Sequence, residues 1–169
     1  LGGASFPTHV KFNPANLDEC DTLIVNGAEC EPFITSDHRN MLEHTDDIIS
    51  GIRLTMKYLG LSKCYVGIEN NKPDAIEKIR NGLKEIKGAE VVELRSTYPQ
   101  GAERVLIHET AGKTLKAGQL PASAGCILSN VTTIMFVGQY FRTGMPLIQR
   151  TVTVAGDAVA NPSNVVVPV

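Results

Sequence analysis

Two adjacent glycines and a lysine form the first stretch of this sequence with the composition of a binding loop. Gly2 and Gly3 open the loop, and Lys11 closes it. Adjacent glycines let backbone N–H groups approach a phosphate closely, and a lysine adds a point charge. An ordinary surface turn explains the same composition, because short glycine loops are common.

Two carboxylates one residue apart follow the first apolar run. Glu29 and Glu31 lie in the segment Asn-Gly-Ala-Glu-Cys-Glu-Pro, just after the Thr-Leu-Ile-Val run of residues 22–25. At the end of a strand, such a pair accepts hydrogen bonds from the vicinal hydroxyls of a ribose. No histidine or third carboxylate is clustered beside them, so we predict no metal site. A solvated acidic loop is the alternative.

The segment Tyr-Pro-Gln-Gly-Ala-Glu at residues 98–103 lies between a predicted strand and a predicted helix. Gly101 at a helix start leaves free N–H donors for a flavin edge or a phosphate, and Glu103 is available for a hydroxyl. A plain helix N-terminus with a favourable glutamate in its first turn is the simpler alternative.

Several function classes are excluded by composition. The chain has 16 Lys+Arg against 18 Asp+Glu and a formal net charge of −2, with no long basic run, so no nucleic-acid partner is expected. The longest apolar runs are far shorter than the roughly 20 residues that span a bilayer. The four histidines are scattered and no nucleophile elbow is present, so we predict no hydrolytic triad. The four cysteines lack metal spacing and are expected to be reduced thiols.

Strand and helix patterns alternate along the chain and must position these loops. The predicted strands cover residues 22–25, 63–69, 89–94 and 126–129. The predicted helices cover residues 37–59, a segment starting at Pro73 with the apolar stripe Ile76, Ile79, Leu83 and Ile86, residues 102–111 and residues 133–142. This alternation predicts an α/β fold with a mostly parallel sheet, whose ligand site lies at the carboxyl ends of the strands.

The pattern changes after Pro146, where residues 150–154 alternate with a period of two. We therefore predict one α/β domain over residues 1–146 and the start of a β-rich module over residues 147–169.

Taken together, the three loops resemble those of a known family. Residues 2–11 resemble the GGAGFPT…K loop of the flavin-binding, NADH-oxidising subunit of respiratory complex I, and residues 26–32 resemble its NADEGEP segment. The RnfC subunit of the Rnf electron-transport complex is more similar still, with GGAxFPTHVK, NGAECEP, YPQGAE and VTVxGxAVxxPxN in this order. The likeness covers nearly all of the chain.

The resemblance implies a modified Rossmann-like domain that holds FMN at the strand ends and stacks NADH on the flavin, followed by the start of a soluble-ligand-binding β-grasp module. It implies the following sites: Gly2, Gly3 and Lys11 in the flavin-phosphate loop, Phe6 near the nicotinamide nucleotide, Asn26 and Ala28 lining the flavin, Glu29 and Glu31 binding NADH, Gly101, Ala102 and Glu103 facing the flavin edge, and Asn130 with Thr133 on the phosphate side. Ser5, Ala28 and Ala102 depart from the glycine, aspartate and glutamate of the complex I pattern, and the side-chain contacts of that pattern are lost there.

The implied function is electron transfer within an Rnf-type complex, as an oxidoreductase or translocase component of the NADH:ferredoxin type. Hydride would pass between NADH and FMN, and electrons would move singly to iron–sulfur clusters. We expect a longer protein, with 4Fe-4S clusters in a C-terminal part that this sequence lacks. The expected location is cytoplasmic and peripheral, on the cytoplasmic face of the cell membrane with the other subunits. Two alternatives stay open: a non-catalytic docking scaffold, and a paralogue that donates electrons to a soluble reductase such as proline reductase.

Overall fold

The computed structural model describes residues 6–169. Its strands are β1 (Thr22–Asn26), β2 (Lys63–Glu69), β3 (Ala89–Leu94), β4 (Cys126–Asn130), β5 (Gln149–Val154) and β6 (Ser163–Pro168). Its α-helices are α1 (Thr8–Lys11), α2 (Ser36–Glu43), α3 (Thr45–Leu59), α4 (Pro73–Leu83), α5 (Glu103–Ala111) and α6 (Val131–Thr143). The predicted alternation of strands and helices between residues 22 and 143 is confirmed.

Strands β1 to β4 form a parallel sheet in the order β3-β2-β1-β4. Strands β2 and β3 follow on one side of β1, and β4 pairs with the other side of β1. The predicted α/β fold with a parallel sheet is therefore confirmed. The reversal of strand order falls between β1 and β4, where Asn26 is directly opposite Asn130.

Both faces of this sheet are covered by helices, because successive side chains of a strand point to opposite faces. Leu23 and Val25 of β1 pack into a core with helices α2, α3, α4 and α6. Ile24, between them, packs on the other face with Leu106 and Ile107 of α5. The burial of β1 on both faces explains its unbroken apolar run.

The prediction of one helix over residues 37–59 is wrong, because the chain breaks at His44 into α2 and α3. The two helices pack differently: α3 lies mainly along α6, whereas α2 shares its contacts among α3, α4, α6 and strand β5. The contacting elements α4, α6 and β5 lie far along the chain, so the apolar spacing across residues 37–59 cannot predict the break. Ile86 also lies beyond the end of α4, although it packs on the same core. Gly60 ends α3 in the left-handed conformation, as its position predicts.

Strands β5 and β6 form an antiparallel hairpin after the parallel sheet. Thr35, which precedes α2, is linked to this hairpin by hydrogen bonds: Thr153 Oγ1 accepts from its N–H at 3.0 Å, and Asn164 Nδ2 donates to its hydroxyl at 2.8 Å. The β-rich region after Pro146 is thus docked on the α/β domain through polar side chains. No helix among residues 6–169 is long and apolar enough to cross a membrane.

Candidate functional site

A crevice lies at the carboxyl ends of β1 and β4, where the strand order reverses and where doubly wound sheets bind their ligands. A cavity of about 150 Å³ lies there, which we call the strand-end cavity. It is lined by Phe6, Thr8, Lys11, Asn26, Gly101, Glu103, Leu128, Ser129, Asn130 and Thr133. The topology therefore brings together seven predicted site residues from four separate segments of the chain: Phe6, Lys11, Asn26, Gly101, Glu103, Asn130 and Thr133.

The remaining predicted residues lie elsewhere. Gly2 and Gly3 fall outside the described residues. Ala28 is buried beside the strand-end cavity, whereas Ala102 is exposed at the start of α5. Glu29 and Glu31 line a different cavity, described below.

Two strand-end loops touch at Gly101. The Asn26 amide donates to the Gly101 carbonyl at 3.0 Å, and the Gly101 N–H donates to Cys30 Sγ at 2.8 Å. A Cβ atom at position 101 would lie 2.7 Å from Cys30 Sγ and 3.2 Å from the Ala28 carbonyl oxygen. Glycine is therefore required here by close approach of the loops. The Asn26 side chain serves this contact, since its Oδ1 also accepts from the Ala28 N–H at 3.0 Å.

An ion pair connects two walls of the strand-end cavity. Lys11 Nζ on α1 lies 3.1 Å from Glu103 Oε1 on α5 and 5.8 Å from the centre of the Phe6 ring. Both charged side chains are partly exposed. The lysine of the glycine loop is thus already neutralised by the glutamate of the third loop, so the strand-end cavity presents little net charge at this point.

Asn130 is held in place by a partly buried hydrogen-bond network that could not be predicted from the sequence. Its Oδ1 accepts from the N–H groups of Thr132 and Thr133, which caps α6, and its Nδ2 donates to Asp37 at 2.7 Å. Asp37 also accepts from the Thr132 hydroxyl at 2.6 Å. Burial raises the pKa of Asp37, and the hydrogen bonds from Thr132 and Asn130 oppose that shift. Asp37 therefore positions the Asn130 side chain, which lines the strand-end cavity. In the sequence, its only distinguishing feature is its place in the first turn of a helix.

Glu29 binds the N-terminus of helix α2. Its carboxylate accepts from the backbone N–H of Asp37 at 2.7 Å and from that of His38 at 3.2 Å. A carboxylate here interacts favourably with the helix dipole. Burial nevertheless raises the pKa of Glu29 from 4.5 to about 7, against the effect of the hydrogen bond from the Asp37 N–H and helped by the nearby charge of Asp37.

We expect Glu29 to make the protein less stable as the pH rises from 5 to 8. In this range the unfolded state has released the proton of Glu29, whereas the folded state still binds it up to about pH 7. Compared with Glu29→Gln, the wild-type protein should lose about 1–2 kcal/mol of unfolding free energy across this window, after allowance for solvent screening. Urea unfolding of both proteins at pH 5, 6, 7 and 8 measures the difference, and a difference that does not change with pH would contradict the assignment.

The second member of the acidic pair, Glu31, is exposed on a cavity of about 400 Å³ that we call the acidic-loop cavity. Its walls also carry Glu29, Lys72 and two largely exposed aromatic side chains, Phe33 and Tyr98. Glu31 is therefore accessible to a ligand from solvent, whereas the Glu29 carboxylate is occupied by α2. The structure thus gives the two carboxylates of the pair different roles.

Behind the acidic loop lies a buried ion pair that sequence reasoning missed. Lys72 Nζ is 2.6 Å from Glu69 Oε2, and the same oxygen accepts from the Glu29 N–H at 3.3 Å. Both side chains are less than one-tenth exposed. The Glu69–Lys72 pair supports the backbone of the acidic loop. The spacing of three residues was the only signal in the sequence, and it is common on protein surfaces.

Comparison with known proteins gives a consistent result. The family model described as the Nuo51 FMN-binding domain matches residues 1–139. In Clostridium ljungdahlii, the subunit designated C of the proton-translocating ferredoxin:NAD(+) oxidoreductase complex is 44% identical over 167 residues, which cover 99% of this chain and 36% of the relative. Its counterpart in the Na(+)-translocating complex of Acetobacterium woodii is 41% identical over 165 residues, which cover 98% of this chain and 37% of the relative. The chain thus spans little more than a third of the length of these relatives.

Among solved structures, a chain of an NAD+-reducing NiFe hydrogenase in the H2-reduced state is similar in fold. It superposes with a TM-score of 0.76 at 21% sequence identity, over 98% of this chain and 34% of the hydrogenase chain. At this level of identity the likeness concerns the fold, which agrees with the parallel sheet described above.

Proposed function

This chain belongs to the family of Nuo51 FMN-binding domains, and on that premise we propose that it binds FMN at the strand-end cavity and exchanges electrons with NADH as part of an Rnf-type complex. The observation that carries the proposal is the convergence of residues 6–11, the end of β1 and the third loop on one crevice at the β1/β4 reversal. Such a crevice is where this class of sheet binds nucleotides.

The residues present suit a flavin. The cavity offers hydroxyl groups of Thr8, Ser129 and Thr133, which can donate to the carbonyl oxygens and ring nitrogens of an isoalloxazine. In the third loop, the Gln100 side chain is buried, and its Nε2 has no acceptor among residues 6–169. Phe6 adds an exposed aromatic surface at the rim. FMN, when bound, supplies the hydride and one-electron chemistry, and this chain supplies binding and orientation.

We propose that Glu31, together with Glu29, faces the NADH side of the site. Its exposure on the acidic-loop cavity supports contact with the ribose hydroxyls, from which carboxylates accept well. Glu29 contributes through the position of the acidic loop, because its own oxygens are bound to α2. None of these side chains needs to transfer a proton in a hydride exchange.

The complex, its location and the remaining cofactors belong to the same proposal. The relatives are subunits of ion-translocating ferredoxin:NAD(+) oxidoreductase complexes, and this supports a role as an oxidoreductase component beside other subunits. We propose that the chain lies on the cytoplasmic face of the membrane within such a complex. We also propose that 4Fe-4S clusters in a longer form of the protein accept its electrons, and that residues 147–169 begin a β-grasp module.

Titration with FMN tests the function, and a single substitution tests the NADH side. The purified chain should bind FMN with a shifted, protein-bound absorption spectrum that NADH then bleaches. Glu31→Gln should raise the Kd for NADH about tenfold, since it removes a hydrogen bond to a charged group, and should leave the Kd for FMN unchanged. Glu77→Gln, on the exposed face of α4, is the matched control.

The outcomes separate the alternatives. If the chain and a longer form of the protein both fail to bind FMN, the flavin proposal is wrong and a docking scaffold becomes the better account. If Glu31→Gln binds NADH as tightly as wild type, Glu31 does not belong to the site. Electron transfer to a soluble reductase instead of a membrane complex would be detected by reconstitution of the full-length protein with each class of acceptor.

A further inference from the structure

A further cavity, larger than the strand-end cavity and adjacent to it, has no role in the function proposed above. It measures about 540 Å³ and lies between helix α6, the start of α1 and the β5–β6 hairpin; we call it the hairpin cavity. Thr8 and Thr133 line both cavities, so the two spaces are adjacent. The strand-end cavity, at about 150 Å³, is well below the roughly 300–1,000 Å³ typical of ligand sites. A nucleotide bound at the strand ends must therefore extend beyond it.

The charges on the walls give the direction of that extension. Among residues 6–169, no aspartate or glutamate lines the hairpin cavity, whereas Arg150, His9 and His44 do. In the strand-end cavity, by contrast, Lys11 is paired with Glu103 at 3.1 Å. An anionic group is disfavoured beside that glutamate and favoured beside an arginine.

Arg150 lies on strand β5, in the wall of the hairpin cavity. Its side chain takes part in none of the ion pairs found between residues 6 and 169. The next residue, Thr151, donates from its hydroxyl to Asn40 of α2 at 3.0 Å, which fixes β5 against the α/β domain. The positive charge of Arg150 acts on the Asp37 carboxylate. Both oxygens of that carboxylate already accept hydrogen bonds, one from Asn130 and one from Thr132.

We propose that the hairpin cavity receives the phosphate end of the flavin nucleotide, with Arg150 as its counter-ion, so that the β5–β6 hairpin completes the cofactor site. The inference rests on the proposed binding of FMN at the strand ends. In this arrangement Asn26 and Gly101 would hold the isoalloxazine ring, and Thr8 and Thr133 would hold the ribityl chain. The guanidinium donates hydrogen bonds to the phosphate oxygens, which Lys11 does not do while it is paired with Glu103.

Comparison of FMN with riboflavin, which lacks the phosphate, tests the inference. Kd values for both flavins are measured by fluorescence quenching on the 169-residue chain and on Arg150→Gln, Lys11→Gln and Arg53→Gln. Arg53 is an exposed arginine of α3 outside both cavities and serves as the matched control. We expect Arg150→Gln to raise the Kd for FMN about 10- to 100-fold and to leave that for riboflavin unchanged. Arg150→Lys should recover part of the loss, and the urea midpoint of each variant verifies its fold.

Each other result has a distinct meaning. If the Kd for riboflavin relative to that for FMN is the same in Arg150→Gln as in wild type, the inference is wrong. If only Lys11→Gln abolishes the preference for FMN over riboflavin, the phosphate lies at Lys11. An unchanged ratio with a raised Kd for NADH would place a phosphate of NADH beside Arg150, which also overturns the inference. If neither the wild-type chain nor a longer form of the protein binds either flavin, the proposed function fails and this inference fails with it.

Discussion

Gly138→Ala is expected to lower the free energy of unfolding by about 3 kcal/mol or more, as overpacking at a rigid contact does. Helices α3 and α6 approach so closely that a Cβ atom at position 138 would lie 2.0 Å from the carbonyl oxygen of Asp47 and 3.0 Å from the backbone nitrogen of Gly51. Gly51 faces the Ile134 carbonyl in the same way, also at 2.0 Å. These neighbours are backbone atoms, so no change of rotamer relieves the clash and the helices must separate.

Urea unfolding followed by circular dichroism measures this effect, with Gly60→Ala as the control. A Cβ atom at Gly60 would meet no other atom of the described residues within 4 Å, but the backbone there adopts a φ of +70°, so alanine should cost only about 1–2 kcal/mol. Because Asn130 and Thr133 lie at the start of α6, Gly138→Ala should also weaken FMN binding. Equal losses for the two alanine variants would show that the α3–α6 contact is not rigid.

Lys72→Met should cost about 3–5 kcal/mol, the usual penalty for removing one partner of a buried ion pair. Glu69 would keep its charge in a buried position, where the Glu29 N–H at 3.3 Å compensates it poorly. The acidic loop rests on this carboxylate, so we also expect the Kd for NADH to rise. Thermal unfolding and NADH titration of the same preparation measure both effects.

Two further variants isolate the cause. In Glu69→Gln/Lys72→Met the stranded charge is absent, so most of the lost stability should return. Arg80→Met removes the arginine of an ion pair with Glu93 in which both side chains are about half exposed, and should cost less than about 1 kcal/mol. If Lys72→Met were no more destabilising than Arg80→Met, the pair would not be a support of the acidic loop.

Much of the fold could be predicted from local patterns. The apolar run of β1 and the period of α4 reflect burial along one element, and Gly60 reflects the conformation that ends a helix. Such signals act within a few residues, and they locate the strands and helices between residues 22 and 143 except for the break between α2 and α3. The break at His44 could not be predicted, because it reflects contacts with distant elements: α3 lies mainly along α6, whereas α2 shares its contacts among α3, α4, α6 and β5.

The strand and helix patterns of the sequence are sufficient to predict that the loops after the strands lie together, since the carboxyl ends of parallel strands share one edge of the sheet. The role of each side chain in these loops depends instead on tertiary contacts. The tertiary structure pairs Lys11 with Glu103, engages Glu29 with α2, and brings Asp37 to Asn130. These contacts join residues up to 93 positions apart and depend on strand order and helix packing, which no local spacing encodes.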